Sequence, residues 1–466
     1  MTQNRDFLAT EKIPRLLFRI AIPTVIAQIV NLLYNLVDRI YIGHIDVIGK
    51  DALTGVGVCF PILTAVSAFA ALVGGGGAPR ASIKMGQKDH ESARKIVGSC
   101  FALLLCISVI LTIVLSVFAE DMLLLFGASE NTVGYAVEYI RIYLLGTIFV
   151  QCSLGMNPFI TAQGFTKISM LSVIIGAALN IALDPLFIFV FDMGVSGAAL
   201  ATVISQAASA VWVISFLAGK KSVLRLTRDI IRVDWRILLP CLALGVSPFI
   251  MSLTESLLSV SFNSSLLRYG GDTAVGAMTI LTSLMQFSLL PLSGFTQGAQ
   301  PVTSYNYGAG NWQRVKESFT VILTVCLCYS VGIWTLIQLF PEFFVLIFND
   351  NQSLVSYAAW AMRIYFGATL FFGAQIACQN TFIALGNAKM SLLMAVLRKL
   401  ILLIPLIYIL PLFFETNADK AMAVYLAEPI ADFLAVLTTV TTFTLFFRKT
   451  LRQMQEKEEV TTHEKV

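Results

Sequence analysis

Long apolar stretches broken by short polar ones run through almost the whole chain. A helix needs about 20 apolar residues to cross about 30 Å of hydrocarbon. Runs of that length recur near residues 15–40, 52–80, 93–118, 135–158, 168–191, 195–218, 237–263, 273–298, 317–340, 357–381, 391–414 and 421–447. The pattern predicts an all-α polytopic membrane protein with twelve transmembrane helices. These spans leave no room for a soluble catalytic domain, so the chain does not read as an enzyme. A short polar leader without a small-residue cleavage site precedes the first run, which reads as a retained span rather than a signal peptide.

The pattern is also duplicated. At an offset of 222, Pro79 meets Pro301, Ser82 meets Ser304 and Gly86 meets Gly308. In the same frame Phe126, Tyr135 and Arg141-Ile142-Tyr143 match Phe348, Tyr357 and Arg363-Ile364-Tyr365, while Ala162, Gly164, Lys167 and Ser169 match Ala384, Gly386, Lys389 and Ser391. At an offset of 220, Leu183, Pro185 and Leu186 match Leu403, Pro405 and Leu406. The halves hold six spans each and therefore share an orientation, as two pseudo-symmetric lobes about an axis along the membrane normal. The expected division is an N-terminal lobe at 1–218, a crossover at 219–236, a C-terminal lobe at 237–447 and a tail at 448–466.

Composition supports this class: 57% hydrophobic, 13% charged, mean hydropathy +0.80. Charge placement adds topology. Of 32 Lys and Arg, 24 fall on the side shared by both termini, four on the opposite loops (Arg39, Lys50, Arg268, Lys420), and four within spans (Arg141, Arg363, Arg398, Lys399). By the positive-inside rule both termini are cytoplasmic, and the basic loops need no nucleic-acid partner. The eight cysteines lie within spans without a CxxC pair and read as small hydrophobes. Asn351-Gln352-Ser353 is a sequon of low specificity. No phosphate-cradling GxxxxGK[ST] occurs, so any energy coupling comes from an ion gradient or a separate partner. The three histidines (44, 90, 463) fall outside the spans, which argues against a histidine proton relay.

Candidate chemistry concentrates in Asn180-Ile181-Ala182-Leu183-Asp184-Pro185. A carboxylate inside an apolar span costs about 2.5–3.5 kcal/mol on insertion scales. Asn180 and Asp184 lie one turn apart on one helical face, and Pro185 frees the Ile181 carbonyl of its donor. These groups suit a proton or a small hard cation, and the alternative is a satisfied packing contact between helices. Asp38 ends the first span beside Arg39, where an interfacial ion pair is the plainer reading. Ala198 and Thr202 share a face of the sixth span. Asp184 and Glu255 have no acidic counterpart across the repeat, and asymmetric charge on a symmetric scaffold points to function. Gly74–Gly77 allows either close helix packing or local unwinding. Arg398 and Lys399 lie about two turns inside the eleventh span, directed to the cytoplasmic interface or to an anionic group. Glu428 and Asp432 flank Pro429 on one face, and one of them is expected to line the cavity or pair with Arg398.

At this point a resemblance becomes specific. Pro23, Gln28, Asn31, Tyr34, Asn35 and Asp38, then Asn180, Asp184 and Pro185, then Gly197-Ala198-Ala199, Ala201 and Thr202, resemble the multidrug and toxic compound extrusion (MATE) family over essentially the whole chain, in its bacterial DinF-type branch. The resemblance implies an antiporter that expels cationic or amphipathic organic compounds in exchange for protons or sodium ions. It implies a first-lobe cation site at Asp38, Asn180, Asp184 and Thr202, the Ala198 carbonyl assisting, and a bend of the first helix at Pro23. It assigns Glu255 to a second-lobe site, but the further acid that some members carry on the tenth span is not apparent in Phe371-Phe372-Gly373-Ala374-Gln375.

The implied mechanism is alternating access by rocking lobes, with acid pair and drug competing for one cavity. Desolvation disfavours a charged carboxylate, and two close carboxyls can share a proton. Tyr34, Met156, Asn157, Gln163, Met285, Gln375 and Arg398 are cavity candidates. No cofactor beyond the coupling ion is expected. The partners are organic cations and membrane lipids, the chain a monomer, and the setting a bacterial cytoplasmic membrane. A lipid-linked oligosaccharide flippase on a related scaffold is the rival, and it would want a cationic cavity.

Overall fold

The computed structural model describes residues 7–45, 49–348 and 351–463; the start of the leader and the last three tail residues lie outside them. The first half contains α1 (Ile13–Gly43), α2 (Phe60–Gly86), α3 (His90–Val117), α4 (Val133–Leu145 and Thr147–Ala162), α5 (Thr166–Pro185) and α6 (Gly194–Ala218). A helical run Trp235–Gly308 follows, broken at Gly271 (φ 64°) into α7 and α8. Then come α9 (Trp312–Leu339), α10 (Gln352–Tyr365 and Phe372–Ala384), α11 (Ala388–Val396, a π turn Leu397–Leu403, then Ile404–Ile409) and α12 (Asn417–His463).

Among the described residues nine helices are long and apolar enough to cross a membrane, or eleven with α4 and α10 each counted as one bent span. The 74-residue run is far longer than one crossing needs. Its break at Gly271 makes two spans of it and brings the number to twelve, as the sequence predicts. The chain is a multi-pass membrane protein. Burial shows how the sequence is read in lipid. Ile22, Ile26, Ile29, Leu33, Leu36 and Ile40 of α1 are exposed at alternating four- and three-residue spacing, an apolar stripe on one side. Tyr34 and Asp38 occupy the opposite, half-buried side.

The chain forms two compact units, Arg19–Phe249 and Met1–Phe18 with Ile250–Val466. Each has its own core, centred in the first on Tyr139, Ile140 and Leu144 and in the second on Phe262, Tyr365, Phe366 and Tyr425. The units repeat each other in detail. Ser82 Oγ donates to Ala162 O at 3.1 Å, and Ser304 Oγ to Ala384 O at 2.8 Å. Asn157 Nδ2 donates to Ser169 O at 3.3 Å, and Gln379 Nε2 to Ser391 O at 2.8 Å. Asp89 caps α3 through Ser92 N and Asn311 caps α9 through Arg314 N; the Ser92 hydrogen bonds also hold the Asp89 carboxyl below its usual range. The bends of α4 and α10 are 59° and 46°. All these pairs keep the offset of 222, so matched letters are matched contacts.

Small residues serve packing. A Cβ on Gly74 would lie 2.4 Å from the Gly155 carbonyl oxygen, and α2 runs unbroken through Gly74–Gly77. Close approach, rather than unwinding, is their role. The eight cysteines are free, six of them buried. Asn351 of the sequon caps α10, accepting from Ser353 N at 3.1 Å.

Candidate functional site

Within the first unit, α1, α4, α5 and α6 line a half-open cleft with about 440 Å³ of empty space, open solvent included. Ten of its fourteen lining residues carry polar side chains although its helices are apolar. Asn31 and Tyr34 come from α1, Ser153 and Asn157 from α4, Ser172 and Asn180 from α5, and Thr202, Ser205, Gln206 and Ser209 from α6.

Asn180 links this cleft to the buried acids. Its Nδ2 donates to Asp184 Oδ1 at 3.2 Å and makes a long 3.4 Å contact with Thr202 Oγ1. Asp184 is fully buried and Asn180 is 1% exposed. The Asp38 and Asp184 carboxyls lie within hydrogen-bonding reach of each other. Two ionised carboxylates are both acceptors, so that contact is a hydrogen bond only when one carries a proton. Among the described residues, Asp38 Oδ1, Asn180 Oδ1 and Asp184 Oδ2 have no hydrogen-bond partner. Three oxygens left open in a dry place are what a proton or a hard cation uses. Arg39 lies with its guanidinium 5.6 Å from the centre of the Phe60 ring.

The local backbone explains the placement. After Pro185 the helix continues as a π turn, Leu186–Val190, a widening often found at functional sites. Gly197 of α6 packs onto it so closely that a Cβ would sit 2.8 Å from the Phe187 carbonyl. That contact brings Ala198 and Thr202 beside α5; Ala198 itself is buried in the first core. The helix α1 is continuous through Pro23.

Other candidates are spread more widely. Tyr34 and Asn157 line the cleft, and Met156 is fully buried in α4. Gln163 lies elsewhere: its Oε1 accepts from Ser222 Oγ, Val223 N and Leu224 N at 3.0, 2.7 and 3.1 Å, which ties down the crossover. Met285 packs in the second core. Gln375 is buried in α10, its Oε1 without a partner among the described residues. Arg398 binds both Glu428 and Asp432, and Lys399 pairs with Glu255. Neither base is directed to the interface or left open to an anion.

Two residues not singled out from sequence join the site. Gln206 Oε1 accepts from Ser153 Oγ at 2.6 Å, and its side chain reaches Tyr34. The Tyr139 hydroxyl reaches Thr202. Thr202, Gln206 and Ser209 at helical spacing were a readable polar stripe; Tyr139 looks like any core aromatic.

The MatE family model matches residues 23–186 and 248–409, a stretch in each half. The chain belongs to the MatE family. The multidrug export protein MepA of Staphylococcus aureus strain N315 is 25% identical over 92% of this MatE chain and 94% of its own length. The protein of the same name from Staphylococcus haemolyticus is 24% identical over 89% and 91%. Among solved structures, an outward-facing multidrug resistance MATE family transporter of the MOP superfamily superposes with a TM-score of 0.89 at 23% identity, covering 97% of this chain and 99% of that one. A MATE in the bent conformation gives 0.90 at 22% identity, covering 98% and 100%. The fold of this MatE chain is therefore the two-lobed fold of that family.

Proposed function

We propose that this MatE chain is a secondary active multidrug exporter that exchanges cationic or amphipathic organic compounds for protons or sodium ions. The observation that carries the reading is the enclosed Asp184, joined through Asn180 to a polar cleft and facing Asp38. Asp38, Asn180, Asp184 and Thr202 hold the coupling ion, with the Ala198 carbonyl beside them. Entry of a proton or sodium ion neutralises the acids and releases a cation bound in the cleft. Drug binding requires the reverse. The names of the staphylococcal relatives support multidrug export.

Alternating access follows from two lobes, 1–218 and 237–447, rocking about the crossover 219–236, with both termini and the tail 448–466 in the cytoplasm of a bacterium. The working unit is a monomer. A flippase for lipid-linked oligosaccharide gains little support, because the buried Arg398 and Lys399 are already neutralised by acids.

The test is ethidium efflux from cells or vesicles under an imposed pH or sodium gradient, wild type against Asp184→Asn. Efflux that follows one gradient and vanishes in Asp184→Asn identifies the coupling ion. Efflux that persists in the variant removes Asp184 from the coupling site, and its absence under both gradients overturns the exporter reading.

A further inference from the structure

The second unit buries a second set of ionisable side chains in its spanning helices. Arg398 and Lys399 sit side by side on the π turn of α11. Arg398 Nε donates to Asp432 Oδ1 at 2.6 Å and its Nη2 to Glu428 Oε1 at 3.1 Å. The guanidinium lies over the Phe372 ring, 4.4 Å from its centre. Lys399 Nζ pairs with Glu255 of α7 and donates to Met251 O at 3.1 Å. The side chains of Arg398, Glu428, Asp432 and Lys399 are 11%, 6%, 2% and 4% exposed, whereas Glu255 is 60% exposed. A carboxylate that exposed at mid-span faces a water-filled space rather than lipid.

Two bases therefore serve three acids. Lys399 is matched to Glu255. One guanidinium is then shared by two carboxyls one turn apart on the same helix; its shorter bond goes to Asp432, and the surplus negative charge falls on Glu428. An unmatched charge buried in the membrane is strongly disfavoured. A sodium ion would balance it only by sitting beside two fixed positive charges whose N–H groups already hold these oxygens. A proton needs no coordination shell and converts the surplus carboxylate into a neutral acid.

We propose that Glu428 is a second exchangeable-proton site, separate from the first-unit acids. The groups that face it are Asp432 on its own helix, Arg398 and Lys399 from α11, Glu255 from α7 and Tyr365 from α10. When the Arg398–Asp432 bond is closed, the proton stays on Glu428. When Arg398 gives up Asp432 and keeps Glu428, the Glu428 O–H breaks and its proton leaves to the water that reaches Glu255, while Asp432 takes up one proton from that water. Protonation of the released Asp432 keeps the balance at one proton for three acids and two bases. The assignment of the proton to transport rests on the exporter reading; its presence on Glu428 does not.

The experiment is infrared difference spectroscopy on the full chain in lipid vesicles, recording the carbonyl stretch of protonated carboxylic acids as pH is stepped. Asp38→Asn with Asp184→Asn removes the first-unit pair. A protonated-acid band that survives in that double variant and disappears on adding Glu428→Gln is the expected result. Loss of the whole band in the double variant overturns the proposal, as does a band that persists after Glu428→Gln. A band that yields only to Asp432→Asn also overturns it. Glutamine mimics the neutral acid, so Glu428→Gln is expected to unfold at the wild-type temperature in detergent, and a large drop would instead mean an ionised Glu428. Loss of gradient-driven efflux in the wild type would sink the exporter reading while leaving the band assignment intact.

Discussion

Asn180 is the residue on which the first-unit site turns, since one amide serves both the cleft and the buried acid. Asn180→Ala removes the donor to Asp184 and leaves a buried oxygen unsatisfied, a loss of roughly 1–3 kcal/mol. About a tenfold weaker response of efflux to the coupling ion is expected, read as initial rate against outside pH or sodium; an unchanged response would make Asn180 a packing residue. In the second unit, Arg398→Met leaves Glu428 and Asp432 facing each other without their base. Breaking a buried pair costs about 3–5 kcal/mol, so thermal unfolding in detergent should fall sharply, and adding Glu428→Gln and Asp432→Asn should restore most of it. The first-unit set was legible because Asn180 and Asp184 obey helical spacing and an acid in an apolar span is conspicuous. Gln163 was not, because a polar residue at a helix end can face a cavity or cap a loop, and only the path of the crossover decides. Met285 misled for a related reason: methionine suits a core and a drug site equally.

At the scale of elements, apolar periodicity located the spans well, but it is blind to how a helix winds. Nothing in the hydropathy of residues 186–190 or 397–403 marks a π turn, although Pro185 marks the first by removing a donor. Gly197 is the sequence trace of that turn in its neighbour. Gly197→Val would drive a side chain into the Phe187 backbone. Overpacking of this kind costs roughly 1–3 kcal/mol, and efflux should drop with it. Gly332 of α9 is the control, since a Cβ there meets nothing within 4 Å; Gly332→Ala should be neutral or stabilise slightly, by up to about 1 kcal/mol. Equal unfolding temperatures for Gly197→Val and Gly332→Ala would remove the packing argument.

For the whole molecule, the 222-residue offset is a statement about contacts as well as letters, and the crossover is a fixed element rather than a free linker. Besides Gln163, Arg94 holds it, donating to Thr227 Oγ1 at 2.8 Å and to Arg225 O at 3.2 Å. Gln163→Leu strips three donors of their acceptor at once. Trypsin should then cut at Lys220, Lys221 or Arg225 several-fold faster in the folded, detergent-solubilised protein. An unchanged cleavage rate would show that Arg94 alone suffices.

The compact units do not coincide with the repeats. The first turns of the chain belong to the second unit, where Arg314 binds the Leu8 and Glu11 carbonyls. The first turns of the second repeat belong to the first unit, where the Cys241 carbonyl and Gly245 press against Gly76 and Leu72. The loan is reciprocal and falls at the start of each copy. In a pair of separate chains, an exchange of opening turns of this kind would be called domain swapping. Each repeat opens with turns that pack in the compact unit holding most of the other. Severed at the crossover, each fragment would lack the opening turns that the other supplies, and the two would recover their structure only by finding each other.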